Sequence, residues 1–171
     1  TASYSTVSTW TGYSYYSGQS TYITASGLTK GKTYHFRIEG QNSGGTGYGS
    51  DAVFTTKPDA PSSFTATAVS GSQINLSWSM GSGAYYTIVR RNIGSYPTSP
   101  TSGTEVYYNA GTSYSDTGLT AGTAYYYSAW SWAFEEGYYQ NSDGYVTALA
   151  TTLSAAQSTQ ILVTAYGTNS I

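Results

Sequence analysis

Two stretches of this chain echo one another, and one of them breaks off. Residues 161–171 (ILVTAYGTNSI) resemble residues 64–74 (FTATAVSGSQI), which run on into Asn75, Leu76, Ser77, Trp78 and Ser79, whereas the sequence stops at Ile171. Setting Thr1 after Ile171 restores the continuation. Ile171, Ala2 and Tyr4 then fall where Ile74, Leu76 and Trp78 stand, with the period of two expected of a half-buried strand. The sequence thus reads as one period of a longer array, and repetition of this kind decides architecture before any local motif does.

Within that frame the local signals are all of one type. Short runs of Tyr, Thr, Val and Ile alternate with small polar residues and are bounded by Gly, Asn, Asp and Ser clusters about every ten residues, the pattern of short antiparallel strands. The nearest approach to a helical segment, residues 148–157, is short and Thr-rich and is read as a strand end and linker. An all-β sandwich or barrel follows.

Two segments then align at a constant offset of 91 residues: Gly27, Leu28, Thr29 and Tyr34 match Gly118, Leu119, Thr120 and Tyr125. Strands closing in Thr55-Thr56 and Thr151-Thr152 follow each, and Lys57-Pro58-Asp59-Ala60-Pro61 reads as an extended connector. Residues 58–153 resemble the fibronectin type III module throughout. They carry Ala60-Pro61 before the first strand, Ile74, Leu76 and Trp78 in the second, Tyr86, Ile88 and Arg90 in the third, and Leu119 six residues before Tyr125.

The resemblance implies two immunoglobulin-like sandwiches in tandem, and a tyrosine corner formed by Leu119 and Tyr125 and again by Leu28 and Tyr34. It also implies a core built on Ile74, Leu76, Trp78 and Ile88. Residues 1–57 form an incomplete module, holding strands B to G but beginning within strand B, and residues 58–153 a complete one. Residues 154–171 are expected to supply the missing strands through Ile161, Val163 and Ile171. They would do so by covalent continuation into a further repeat, by donation of a strand to a neighbouring copy, or by folding back. The last is disfavoured because the tail would have to cross the whole second module.

Composition limits the chemistry. Charged residues make up 8% and net charge is −2, so no basic stripe exists to neutralise phosphates, and nucleic acid is excluded as a partner. With no cysteine, thiolate catalysis and most structural zinc sites are absent. No apolar run approaches the ~18 residues that span a bilayer.

His35, the single histidine, is expected to face solvent from its strand, without a partner for nucleophilic catalysis. Glu135, Glu136 and Asp143 offer oxygen ligands for calcium, but loop solvation is the preferred reading, and adjacent strand residues cannot flank one glycosidic bond. The Gly-rich stretch 40–47 lacks the Lys and following helix of a phosphate loop and reads as a plain F-to-G connection. Asn75-Leu76-Ser77 fits a glycosylation sequon on an outward position. No catalytic, cofactor or metal site is expected.

The surplus of aromatics, with Tyr at 20 positions, leaves Trp130, Trp132, Tyr138 and Tyr139 as candidates for a contact surface. Such rings either bury against another copy or stack on sugars. The expectation is a non-enzymatic, extracellular or surface-exposed structural and adhesive repeat protein. It would form a fibre or filament with other copies of itself, and glycans or a cell surface are further partners. The rival reading is a set of spacer or glycan-binding accessory modules of a secreted polysaccharide-degrading enzyme or adhesin.

Overall fold

The computed structural model of the chain describes residues 24–154. The proposed inter-copy positions Ile161, Val163 and Ile171, and the join to Thr1, lie outside the described residues. Within them the fold is all-β, with twelve strands and two units in succession.

The second unit is a two-sheet sandwich. One sheet holds β5 (Ser62–Ala68), β6 (Gln73–Ser79) and β9 (Ser113–Thr117) in the order β5-β6-β9. The other is centred on β10 (Ala124–Glu135), the longest strand. It pairs with β7 (Tyr86–Ile93), which pairs in turn with β8 (Thr104–Asn109). On its far side β10 pairs with β12 (Val146–Thr151) along one half and with β11 (Tyr138–Asn141) along the other.

β6 shows why the sequence folds this way. Ile74, Leu76 and Trp78 are buried at 0, 2 and 4% exposure while Asn75, Ser77 and Ser79 between them are exposed, the alternation of a strand with one wet face. From β10 the inward set is Tyr125, Tyr127 and Ala129, which meets the β6 residues together with Val89, Leu119 and Ala150. Trp78 also donates its indole N–H to Thr87 Oγ1 at 3.1 Å and packs edge-on against Tyr107 at 5.0 Å.

β7 departs from the expected core. Its inward residues are Thr87, Val89 and Arg91, so Ile88 does not join Ile74, Leu76 and Trp78. Ile88 is buried, but beneath the opposite face of the sheet, beside Trp130. Both faces of β7 are apolar over this stretch, so alternation carries no information about which points inward, and a slip of one position reverses every side chain. What decides the register is a polar clip. Arg91 donates to both carboxylate oxygens of the buried Asp116 at 2.7 Å, and the Tyr127 hydroxyl donates to Asp116 Oδ2 at 2.9 Å. These residues sit on β7, β9 and β10, so the clip ties one sheet to the other. Burial, and secondarily the Asp116 carboxylate, raise the Tyr127 hydroxyl far above the ordinary tyrosine range, so it stays protonated and donating.

The first unit is described by its closing strands. β1 (Thr33–Phe36) pairs with β4 (Ala52–Thr55), and between them β2 (Glu39–Asn42) and β3 (Gly45–Tyr48) form a separate two-stranded ribbon. The Gly-rich stretch is therefore an ordered hairpin rather than a plain connection. Asn42 Oδ1 accepts from Gly44 N across its tip at 2.8 Å, and the Arg37 guanidinium lies 4.2 Å from the Tyr48 ring. Tyr34, Phe36 and Phe54 share one face of the β1–β4 pair, and Phe54 contacts both of the others. Thr33 and His35 point to the other face, toward the second unit.

Candidate functional site: the junction between the units

Thr33 and His35 lead to the part of the molecule where its sparse charge is concentrated. The sequence contains three lysines, and each pairs with an acid of the following unit: Lys30 with Asp59, Lys32 with Glu135 at 2.6 Å, and Lys57 with Asp143. Glu135 is the centre of the group. Besides Lys32 it accepts from the Thr33 amide at 2.6 Å through Oε2, and its main-chain carbonyl accepts from Thr33 Oγ1 at 3.1 Å. The side-chain hydrogen bond from Lys32, followed by the Thr33 amide, holds the Glu135 carboxyl below the usual range, and the same pairing raises Lys32.

His35 bridges the two units. Its Nδ1 lies 2.8 Å from Asp51 Oδ2 in its own unit and its Nε2 lies 3.2 Å from Glu136 Oε2 in the next. Both partners are carboxylates, which only accept, so the imidazolium with a proton on each nitrogen is the form that satisfies both contacts. The hydrogen bond to Asp51, then that to Glu136, raise the His35 pKa above its ordinary value.

Local geometry presents these groups. β10 and β11 are joined by the two-residue turn Glu136-Gly137, with φ of 52° and 85°. Positive φ at both positions is the requirement of a type I′ hairpin turn, which Asn-Gly fills most easily. Here a glutamate occupies the first position and carries the His35 contact. The backbones also approach closely. A Cβ on Gly31 would stand 1.9 Å from the Gly83 carbonyl oxygen, so only glycine fits at this point of the junction. Beside it a cleft of about 190 Å³ is lined by Lys30, Lys32, Tyr85, Phe134 and Glu135 among others.

Sequence reasoning placed Glu135, Glu136 and Asp143 as solvated loop acids or calcium ligands, and the structure corrects that. Each is tied to a different cation of the preceding unit, and among the described residues no group of three or more metal-ligating side chains occurs. His35 does face outward, but it is held between two acids rather than simply solvated. No local signal announces the junction, because its partners stand up to 103 residues apart.

The corner residues lie where loops meet strands. The Tyr125 hydroxyl accepts from the Thr120 amide at 2.9 Å, and the Tyr34 hydroxyl accepts from the Thr29 amide at 2.8 Å. Leu119 is buried and Leu28 half-buried. Of the proposed aromatic surface, Trp130 is 2% exposed and packs against Tyr145 at 4.9 Å, so it offers no accessible contact. Tyr139 pairs with Phe134 and shares its outer face with Trp132, whereas Tyr138 pairs with Glu135 and lies on the other side. The four residues therefore do not form one surface.

The arrangement of a three-stranded sheet against β10, β7 and β8, closed by a tyrosine-cornered loop, defines an immunoglobulin-like sandwich. Its strand order is that of the fibronectin type III fold. A solved two-module fibronectin type III segment from chicken tenascin superimposes with a TM-score of 0.51 at 14% identity, covering 70% of this chain and 65% of that one. A fibronectin type III-like protein from Clostridium thermocellum matches at 32% identity over 54% of this chain and 90% of its own, with a TM-score of 0.42. No family model matches the sequence, and no curated protein does. The chain has a fibronectin type III-like fold in a two-unit arrangement. Among the described residues no helix is long and apolar enough to cross a membrane.

Proposed function

We propose that this protein is an extracellular structural repeat whose successive modules are held at a set orientation, so that a chain of them forms a fibre or filament with other copies of itself. The observation that carries this reading is the placement of charge. A chain with so few charged residues has every lysine, and the histidine as well, paired across one junction.

Exposed ion pairs contribute little singly. Several of them acting around a glycine contact define an angle, which a free spacer does not need. Repetition of a fixed angle that does not close on itself generates a filament.

Electron microscopy of native material tests the proposal: fibres with an axial repeat of two modules are expected. Particles without repeat, together with firm retention on chitin or cellulose, would replace it with the accessory-module reading.

A further inference from the structure

The first unit repeats the closing strands of the second, position by position. The Lys32 amide donates to Thr56 Oγ1 at 2.9 Å as the Thr123 amide donates to Thr152 Oγ1 at 3.0 Å, and those two hydroxyls donate in turn to the Thr29 and Thr120 carbonyls at 2.7 and 2.6 Å. Tyr34 pairs with Phe54 where Tyr125 pairs with Ala150. Tyr34, Phe36 and Phe54 therefore hold the places of Tyr125, Tyr127 and Ala150, which belong to the core of the second unit. There the three are buried. In the first unit Phe36 and Phe54 are exposed, and among the described residues no sheet faces β1 and β4.

The second unit shows what covers such a face. Its β5 lies against β12, the amide of Leu153 beyond β12 donates to the Ser70 carbonyl beyond β5 at 3.1 Å, and Phe64, Ala66 and Ala68 pack on the core. The sequence carries a second version of that segment. Residues 161–171 match residues 64–74 place for place: Ile161, Val163, Ala165 and Ile171 stand where Phe64, Ala66, Ala68 and Ile74 meet the core, so every inward place is apolar in both. Gly167-Thr168-Asn169 stands at the turn Ser70-Gly71-Ser72, again among residues that favour turns. On the β1–β4 pair the opposite face is taken by the junction, through Thr33 and His35, which leaves the aromatic face to receive the segment.

We infer that residues 161–171 of one copy of the chain dock across Tyr34, Phe36 and Phe54 of another copy, as β5 and the start of β6 lie across the closing strands of the second unit. Docking of this kind hides apolar surface of both partners from water. It deepens the structural reading above by naming the contact through which copies meet, and rests on that reading only in requiring that they meet.

The absence of cysteine from the 171-residue chain allows the contact to be trapped directly. Phe54→Cys and Val163→Cys, made in separate chains and oxidised together, are expected to form a mixed disulfide dimer, because Val163 stands at the place of Ala66 and Phe54 at that of Ala150 in one packed core. Leu162→Cys, at the outward place of Thr65, should be trapped about tenfold less, since its Cβ points away. Absence of the mixed dimer overturns the inference, and so does a Leu162→Cys yield equal to that of Val163→Cys. In a chain carrying both Phe54→Cys and Val163→Cys, closure within the chain rather than between chains overturns it as well.

Sedimentation velocity over a range of concentrations gives a second reading, with folding of each variant checked by its circular dichroism melt. Wild type is expected to self-associate and Val163→Asp to weaken association by about tenfold or more, because it buries an unpaired carboxylate. A monomeric wild type, or association unchanged in Val163→Asp, overturns the docking. In micrographs, fibres that survive Val163→Asp overturn the docking and leave the structural reading intact. A mixed disulfide dimer in a protein that forms no fibre does the reverse.

Discussion

The two units share a corner and differ in what surrounds it. The Thr29–Tyr34 and Thr120–Tyr125 hydrogen bonds are alike, at 2.8 and 2.9 Å. Yet Tyr125 is 5% exposed within a closed core, whereas Tyr34 packs on Phe54, and Phe36, Ile38 and Phe54 are exposed at 49, 78 and 38%. The corner closes over a span of five positions and forms in both units. The core belongs to a facing sheet, and among the described residues only the second unit has one.

The comparison can be tested hardest at the polar clip, which joins the two sheets of the second unit. Asp116→Ala leaves the part-buried Arg91 guanidinium without its carboxylate, and because Arg91 keeps some access to water the cost should fall at the low end of the range for a fully buried pair, about 3–5 kcal/mol. Urea unfolding should record a loss of that size; a loss below about 1 kcal/mol would mean that hydrophobic contact alone holds the sheets together.

The corners come next. Tyr125→Phe leaves the Thr120 amide without its acceptor in a part-buried site and should cost about 1 to 1.5 kcal/mol, and Tyr34→Phe only a few tenths, because water replaces the bond at the more open site. Equal costs in the same unfolding experiment would erase the distinction between the units.

Gly31→Ala addresses the contact between them. It should widen the angle between the units, seen as a larger maximum dimension in small-angle scattering, while the unfolding free energy of the second unit moves by less than about 0.5 kcal/mol. Unchanged scattering would show that the close approach is not what sets the angle.

The smallest effect is the pH response at His35. Its folded pKa is raised, so its contribution to the junction is complete below the ordinary histidine value of about 6.5 and is lost as pH rises through the raised value. The groups facing the ring are Asp51, before β4, and Glu136, in the β10–β11 turn. Scattering profiles of wild type should therefore be more compact near pH 6 than near pH 9, and His35→Gln should remove the difference. A pH response that survives in His35→Gln would assign it to another group.

Much of the sandwich is legible in the sequence. Ile74, Leu76 and Trp78 alternate with Asn75 and Ser77, one face of β6 is wet, and the period alone places them. The repeated Gly-Leu-Thr before Tyr34 and Tyr125 located both corners for the same reason, since the loop and its hydrogen bond lie within a few residues. The core place expected for Ile88 goes to Val89 instead, because the two neighbours are equally apolar and the sequence pattern does not distinguish them. The aromatic set of four divided because Trp130 is covered by Tyr145 and Tyr138 turns away from Tyr139.

Order along the chain was enough to specify the all-β class, the inward face of β6 and both tyrosine corners, because those depend on periods of two and on loops a few residues long. Assembly in three dimensions was needed to choose the inward face of β7 and to bring Lys30, Lys32, His35 and Lys57 to acids as much as 103 residues away. Charge pairing acts through space without regard to separation along the chain, and no local pattern records which distant carboxylate a lysine will meet.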